Sequence, residues 1–132
     1  MIFPCTDAFV ALAVVDFEQL VNFYQKLLNQ TPQPYLPDVY AEFHLPNLRL
    51  GIFRPQEKHQ SEFQDSVKSG ISLCLEVSDL EQAIAHFTAL GYPPPGQILT
   101  ASHGQEIYAY DPAGNRLILH QAHSMSQTSL NE

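Results

Sequence analysis

The sequence has few basic residues, few cysteines and no long apolar segment. Six lysines and arginines stand against fourteen aspartates and glutamates, giving a formal net charge of −8, and the basic residues form no cluster. Because nucleic-acid-binding proteins neutralise phosphates with lysine and arginine, we expect no nucleic-acid partner. The acidic excess is compatible with a cationic or neutral ligand, although charge of this size also serves solubility alone.

Cys5 and Cys74 are the two cysteines. They fit no zinc-binding spacing and are too few for a disulfide framework, which favours a reducing compartment. No apolar run reaches the length of a membrane span, and the first residues lack the charged and then apolar pattern of a signal peptide. We therefore expect a cytoplasmic protein that has no membrane partner.

An internal repeat organises the chain. Val14–Tyr24 and Val77–Phe87 both contain the pattern Asp-x-Glu-Gln and apolar residues at helical spacing, and each follows a run of residues typical of a strand. Two copies are too few for a solenoid, which needs at least about three repeats. A chain of 132 residues, 45% of them hydrophobic, is expected to form a single domain with a substantial core.

The first copy, about residues 8–54, predicts the order β-α-β-β-β. Phe9–Val15 is predicted to form a strand, and Asp16 is expected to cap the following helix, with Gln19 completing a capping box. Three prolines between residues 32 and 37 restrict the next segment to an edge or irregular strand. Residues 40–45 and 48–54 then predict a hairpin turned at Pro46-Asn47.

The second copy, about residues 70–121, follows a polar and aperiodic connector over residues 55–69. A strand over residues 71–77 precedes a helix that Asp79 caps and Gly91 ends. Short strands are predicted over residues 98–100, 106–110 and 117–120, with turns at 102–104 and 111–115. Residues 122–132 form a polar tail that is expected to fray.

Two β-α-β-β-β modules, an Asp-capped helix in each, and the sequence Tyr-Asp-Pro-Ala-Gly-Asn-Arg-Leu at residues 110–117 resemble the vicinal oxygen chelate superfamily. This superfamily includes glyoxalase I, extradiol dioxygenases, methylmalonyl-CoA epimerase, and the fosfomycin- and bleomycin-resistance proteins. The resemblance covers roughly residues 8–121. It implies an α+β fold in which the curled mixed sheets of two modules surround a cup, and it implies a homodimer.

In the metalloenzymes of that superfamily, divalent-metal ligands project into the cup from the first and last strands of the modules. The positions of this chain that match them are Phe9, Gly51, Ser72 and Ile118. None supplies the imidazole, carboxylate or thiolate donors that such a site needs. We therefore expect no metal and no cofactor.

Alternation of side chains along the strands predicts which residues line the cup. Aromatic residues among them suit a small organic molecule, although aromatic residues in strands are more commonly core or interface. Arg49 and Arg116 hold matching positions in the two modules and either bind an anionic group of the ligand or pair with local carboxylates. The expected ligand-binding residues are Phe9, Arg49, Phe53, Ser72, Cys74, Tyr108, Arg116, Ile118 and His120.

Three functions remain open. The first is metal-independent binding of a small organic molecule in an apolar and aromatic cup. The second is a lyase, isomerase or dioxygenase with either a displaced metal site, built from His120 with Glu76 or His44, or metal-free acid–base chemistry through Glu76, His120 and Tyr110. The third is a non-catalytic dimerisation or regulatory module.

Overall fold

The structure, a computed structural model, describes residues 2–123, so most of the predicted polar tail lies outside the described residues. The elements are β1 (Val10–Ala13), α1 (Phe17–Leu28), β2 (Tyr35–Leu36), β3 (Tyr40–Leu45), β4 (Leu48–Phe53), β5 (Leu73–Glu76), α2 (Leu80–Ala89), β6 (Leu99–Ala101), β7 (Gly104–Tyr110) and β8 (Arg116–Ala122). Two 3₁₀-helices, Glu57–Phe63 and Ser66–Lys68, lie between β4 and β5. No helix within residues 2–123 has the length and hydrophobicity needed to cross a membrane.

The chain forms two compact units that meet in sequence at Gln64 and Asp65, inside the predicted connector. Each unit contains one four-stranded sheet, with the strand order β1-β4-β3-β2 in the first and β5-β8-β7-β6 in the second. In both, the first strand pairs in parallel with the last strand and the remaining pairs are antiparallel. The predicted α+β fold of two β-α-β-β-β modules is confirmed.

Each sheet buries one face against its helix, as the alternation of apolar residues predicts. In the first unit, α1 contributes Phe17, Leu20 and Tyr24, which are at most 1% exposed. They lie with the fully buried Phe43, Leu50 and Ile52 of the sheet. In the second unit, Leu80 and Phe87 of α2 are buried with Ile107, Ala109, Leu117 and Leu119.

Some element boundaries differ from the predictions. β1 is shorter than the predicted Phe9–Val15, because its register with β4 begins at Val10 and ends where Ala13 lies opposite Phe53, the last residue of β4. β8 is longer than predicted and reaches Ala122, where its pairing with β7 ends. The connector contains 3₁₀-helices, whose irregular sequence shows no apolar repeat that would have predicted them.

The two helices begin differently despite their matching sequences. The Asp79 side chain accepts a hydrogen bond of 3.1 Å from the backbone N–H of Gln82, which satisfies one free donor at the start of α2. Asp16 precedes α1 at the matching position, but its side chain makes no capping hydrogen bond. The predicted cap is confirmed in the second module and is wrong in the first, where the Asp16 backbone has φ −83° and ψ 75° instead of the extended conformation of Asp79.

The two aspartates allow the capping bond to be measured by itself. Asp16→Ala and Asp79→Ala both remove a carboxylate near the start of a helix, so both lose the favourable interaction with the helix dipole. Only Asp79→Ala also removes a capping bond. We expect Asp79→Ala to lower the free energy of unfolding by about 1 kcal/mol more than Asp16→Ala does, measured by urea denaturation followed by circular dichroism. Equal losses would contradict the assignment of the cap.

Candidate functional site

The face of the first sheet opposite α1 carries polar and aromatic side chains. The antiparallel register places Tyr40 opposite Phe53, Glu42 opposite Gly51, and His44 opposite Arg49. Because side chains alternate along a strand and Leu50 and Ile52 point to the core, these residues share the other face. The sheet therefore brings the predicted residues Arg49 and Phe53 next to Tyr40 and Glu42, which the sequence reasoning did not select.

Glu42 is the centre of a hydrogen-bonded network on this face. The residue is only 7% exposed, and its Oε1 accepts hydrogen bonds from Tyr40 Oη at 2.8 Å and from Arg49 at 3.1 Å. The hydrogen bond from Tyr40 is the largest influence that lowers the pKa of Glu42, and it outweighs burial, which raises it. Burial and the hydrogen bond to Glu42 together raise the pKa of Tyr40 to about 12.

The Tyr40 ring covers Gly51, one of the four positions that match the superfamily's metal ligands. A Cβ atom added at Gly51 would lie 2.7 Å from Tyr40 Oη and 3.0 Å from the nearest ring carbon. Any side chain at this position would therefore have to displace a ring that Glu42 holds by a hydrogen bond. The space that a metal-ligating side chain needs is filled.

Arg49 also contacts Phe9, the residue that precedes β1. The guanidinium carbon of Arg49 lies 4.5 Å from the centre of the Phe9 ring, a cation–π contact. Arg49 also donates to the carboxylate of Asp7. Of the two roles left open for Arg49, the structure supports pairing with local carboxylates, since both Asp7 and Glu42 bind its guanidinium group.

A pocket of about 550 Å³ lies at the Phe53 end of this face. Its apolar wall is formed by Val39, Tyr40, Phe53, Pro55 and Phe63. The rings of Phe53 and Phe63 meet edge to face, with their centres 5.7 Å apart and their planes at 88°. The polar residues of the lining are Arg54, Gln56, His59 and Glu62.

In the second unit, Arg116 anchors the segment that precedes β5. Its Nε donates to Ser72 Oγ at 2.6 Å, and one terminal nitrogen donates to the backbone carbonyl of Ser69, also at 2.6 Å. The other terminal nitrogen lies 3.5 Å from the carbonyl of Val67. Arg116 thus bonds a hydroxyl and backbone carbonyls, not the carboxylates that were the expected alternative to a ligand.

His120 and Glu76 form a hydrogen-bonded pair on adjacent strands. His120 Nδ1 lies 2.6 Å from Glu76 Oε1, and the imidazole is 17% exposed whereas the carboxylate is 71% exposed. The register also places Glu106 of β7 directly opposite His120. Since a carboxylate at Nδ1 favours the tautomer with a proton there, Nε2 is left as the proton acceptor.

The other predicted residues of the second unit lie beside this pair. Ile118 is flanked by Cys74 on β5 and Tyr108 on β7, and Tyr110 lies opposite Arg116. Cys74 is an exposed free thiol, and Tyr108 is 40% exposed. The sheet thus groups Cys74, Tyr108, Arg116, Ile118 and His120 on neighbouring strands, whereas Ser72 lies just before β5.

The side chains do not fit the metal site of the superfamily's metalloenzymes. Phe9 is stacked against Arg49, Gly51 is covered by Tyr40, and Ser72 Oγ accepts a hydrogen bond from Arg116. Ile118 has no donor atom. Across residues 2–123, no three histidines, cysteines, aspartates or glutamates come together in a group that could hold a metal ion.

Apart from Phe53, sequence reasoning missed the residues that line the pocket, and it also missed Glu42 beside them. Tyr40 and Glu42 were accessible to it, because the predicted hairpin at Pro46-Asn47 implies their pairing with Phe53 and Gly51. Phe63 and Glu62 were not, since they lie in the 3₁₀-helix of the aperiodic connector. Only the fold of that segment brings Phe63 to Phe53.

The depressed pKa of Glu42 predicts a loss of stability in acid. A carboxylate with a lowered pKa in the folded state contributes stability fully above its ordinary pKa of 4.5, and this contribution is lost as the pH falls through the lower folded value. We expect Glu42→Gln to lower the free energy of unfolding by about 1–3 kcal/mol at neutral pH, with the difference from wild type shrinking below pH 4.5.

Urea denaturation at a series of pH values measures this effect. The matched control is Glu57→Gln, which removes an exposed carboxylate of the same unit and should leave the acid limb of the stability curve unchanged. A Glu42→Gln variant that keeps a constant difference from wild type down to acid pH would show that the carboxylate is not stabilised in its ionised form.

No protein-family model matches the chain, and no curated protein matches its sequence. Solved structures do match. A glyoxalase/bleomycin resistance protein from Catenulispora acidiphila is 21% identical, with 90% of this chain and 100% of that chain covered and a TM-score of 0.65. A lactoylglutathione lyase from Agrobacterium tumefaciens is 20% identical, with 90% and 96% covered and a TM-score of 0.68.

A bleomycin-binding protein in complex with bleomycin is also similar, at 20% identity, with 90% of this chain and 100% of that chain covered and a TM-score of 0.64. At these identities the likeness concerns the fold and not the activity. The chain therefore has the same fold as glyoxalase/bleomycin-resistance proteins.

Proposed function

We propose that the protein binds a small organic molecule without a metal ion, and that the pocket beside Phe53 is the binding site. The observation that carries this proposal is the pocket of about 550 Å³ with its wall of aromatic side chains. Ligand sites are concave, mostly apolar and supplied with a few polar groups, and volumes of this size are typical of them. The fold supports the same role, because the similar bleomycin-binding protein holds a small molecule.

The Tyr40 ring connects the pocket to the Glu42 network. It contributes to the wall while its hydroxyl group donates to Glu42, so the ring is held in one position before any ligand arrives. A preformed wall lowers the conformational cost of binding. Phe63 also lines the pocket and is 43% exposed, which leaves part of its ring available for contact.

Titration with naphthamide, a neutral aromatic probe, tests the site. We expect the probe to shift the backbone amide resonances around Val39, Tyr40 and Phe63 in a heteronuclear NMR spectrum. Phe63→Ala should weaken binding about threefold to tenfold, because an edge-to-face aromatic contact contributes about 0.5–1.5 kcal/mol.

The control is Phe3→Ala, which removes a ring that is 84% exposed and does not line the pocket. It should leave the affinity for naphthamide unchanged. Binding that is insensitive to Phe63→Ala, or shifts that cluster away from residues 39–63, would overturn the assignment of the site.

Metal-free acid–base catalysis is a second candidate function, favoured by the pair that His120 forms with Glu76 at 2.6 Å. Glu76 orients the imidazole, and Nε2 accepts a proton from the substrate. A substrate for such a base is a carbonyl compound with an acidic neighbouring C–H bond. The proton moves to Nε2, and the electron pair of the C–H bond moves to the carbonyl oxygen as the enolate forms.

Exchange of carbon-bound hydrogen in heavy water tests this activity with hydroxyacetone as the probe. We expect wild-type protein to accelerate the exchange by about a hundredfold or more relative to His120→Asn, with Glu76→Gln in between. His86→Asn, which removes an exposed imidazole of α2, should keep the wild-type rate. Equal exchange rates for wild type and His120→Asn would rule this function out for the probe.

Cellular context follows from the sequence and the resemblance. The two unpaired cysteines support a cytoplasmic protein, and the absence of a basic cluster supports a protein that has no nucleic-acid partner. A homodimer is proposed from the resemblance to the superfamily.

A further inference from the structure

We propose that the ligand of the pocket is an aromatic organic anion, such as an aromatic carboxylate, and that Arg54 binds its charged group. This inference rests on the proposed function and specifies the class of molecule that the same pocket takes. It differs from what the net charge of −8 favours, which is a cationic or neutral ligand.

The first observation is that the side chain of Arg54, unlike those of the other two arginines, has no partner among residues 2–123. The chain contains three arginines. Arg49 binds Glu42 and Asp7, and Arg116 binds Ser72 and two backbone carbonyls. Within residues 2–123, the Arg54 guanidinium group has no hydrogen-bond or ion-pair partner, although its backbone N–H is fixed by a bond of 3.3 Å to the carbonyl of Val39.

The second observation is that the carboxylate in the lining already has a partner. Glu62 Oε2 lies 2.5 Å from His59 Nδ1. The Glu62 carboxylate is therefore less available to a cationic ligand than a free carboxylate would be. Arg54, by contrast, presents five N–H donors in a planar arrangement that matches a carboxylate.

The third observation is the surrounding chemistry. Arg54 lines the same pocket as Tyr40, Phe53 and Phe63, so the pocket combines an aromatic wall with a guanidinium group that has no partner among the described residues. Gln56, two residues further, lines the pocket as well and carries a side-chain amide that can donate to the same anion. A ligand with an aromatic body and a carboxylate satisfies both parts of the site.

The negative charge of the whole protein does not oppose this assignment. Interactions between exposed charges are screened within about 8–10 Å at physiological ionic strength, so remote acidic residues contribute little to a contact in the pocket. The hydrogen-bond donors that line the pocket determine which ligand charge the pocket prefers. Overall charge affects mainly the rate at which a charged ligand arrives.

Three probes that share a naphthalene ring system and differ in charge test this inference. They are the anion naphthoate, the neutral naphthamide and the cation naphthylmethylammonium. The dissociation constant of each is measured by NMR titration for wild type, Arg54→Gln and Lys58→Gln. Lys58→Gln is the matched control. It removes an exposed cation from the neighbouring 3₁₀-helix, and Lys58 itself does not line the pocket. We expect wild type to bind naphthoate most tightly of the three.

Arg54→Gln should raise the dissociation constant of naphthoate about twofold to fivefold, as expected for the loss of one exposed ion pair. It should leave the dissociation constant of naphthamide unchanged. Lys58→Gln should change neither. The preference for naphthoate over naphthamide should shrink as salt is raised.

The outcomes separate this inference from the proposed function. Equal binding of naphthoate and naphthamide, with no effect of Arg54→Gln, would contradict an anionic ligand but would still support an aromatic binding pocket. Tightest binding of naphthylmethylammonium would also contradict an anionic ligand and would indicate a cationic one. No binding of any probe in the pocket would overturn the proposed function, and the inference with it.

Discussion

The hydrogen bond from Tyr40 to Glu42 determines the arrangement of side chains on the face of the first sheet opposite α1. A carboxylate in the middle of a sheet, 7% exposed, is costly unless hydrogen bonds compensate for the water that it loses, and Tyr40 and Arg49 supply them. The same bond holds the Tyr40 ring over Gly51 and makes it part of the pocket wall. One interaction thus fills the space that a metal-ligating side chain needs and shapes the neighbouring aromatic pocket.

The two units repeat one scaffold but carry different chemistry. Arg49 and Arg116 occupy matching positions on β4 and β8, yet the first binds two carboxylates and the second binds a hydroxyl and backbone carbonyls. The first unit has an aromatic pocket, whereas the second has a His–Glu pair on adjacent strands. Because the backbone arrangement is the same in both, side chains and loops account for the difference, which is why a shared fold does not identify a shared activity.

Much of the fold was predictable because the relevant forces act between near neighbours in the chain. The helical spacing of apolar residues predicted both helices. The alternation that assigned Arg49 and Phe53 to the cup leaves Leu50 and Ile52 on the other face, where they are buried. The capping of α1 was not predictable, since the same Asp-x-Glu-Gln pattern precedes both helices while the backbone of Asp16 differs from that of Asp79. The connector was not predictable either, because its two 3₁₀-helices bury no apolar face that would leave a repeat.

The sequence by itself determined the repeated modules, the buried faces of their sheets and the lack of donor atoms at Phe9, Gly51 and Ile118, since these depend on residue type and local periodicity. Tertiary structure decided which side chains meet. The contacts of His120 with Glu76 and of Phe53 with Phe63 depend on strand register and on the path of a connecting segment. Such contacts join residues that are distant in the chain, and they form only when the packing of the whole unit offsets the loss of chain entropy.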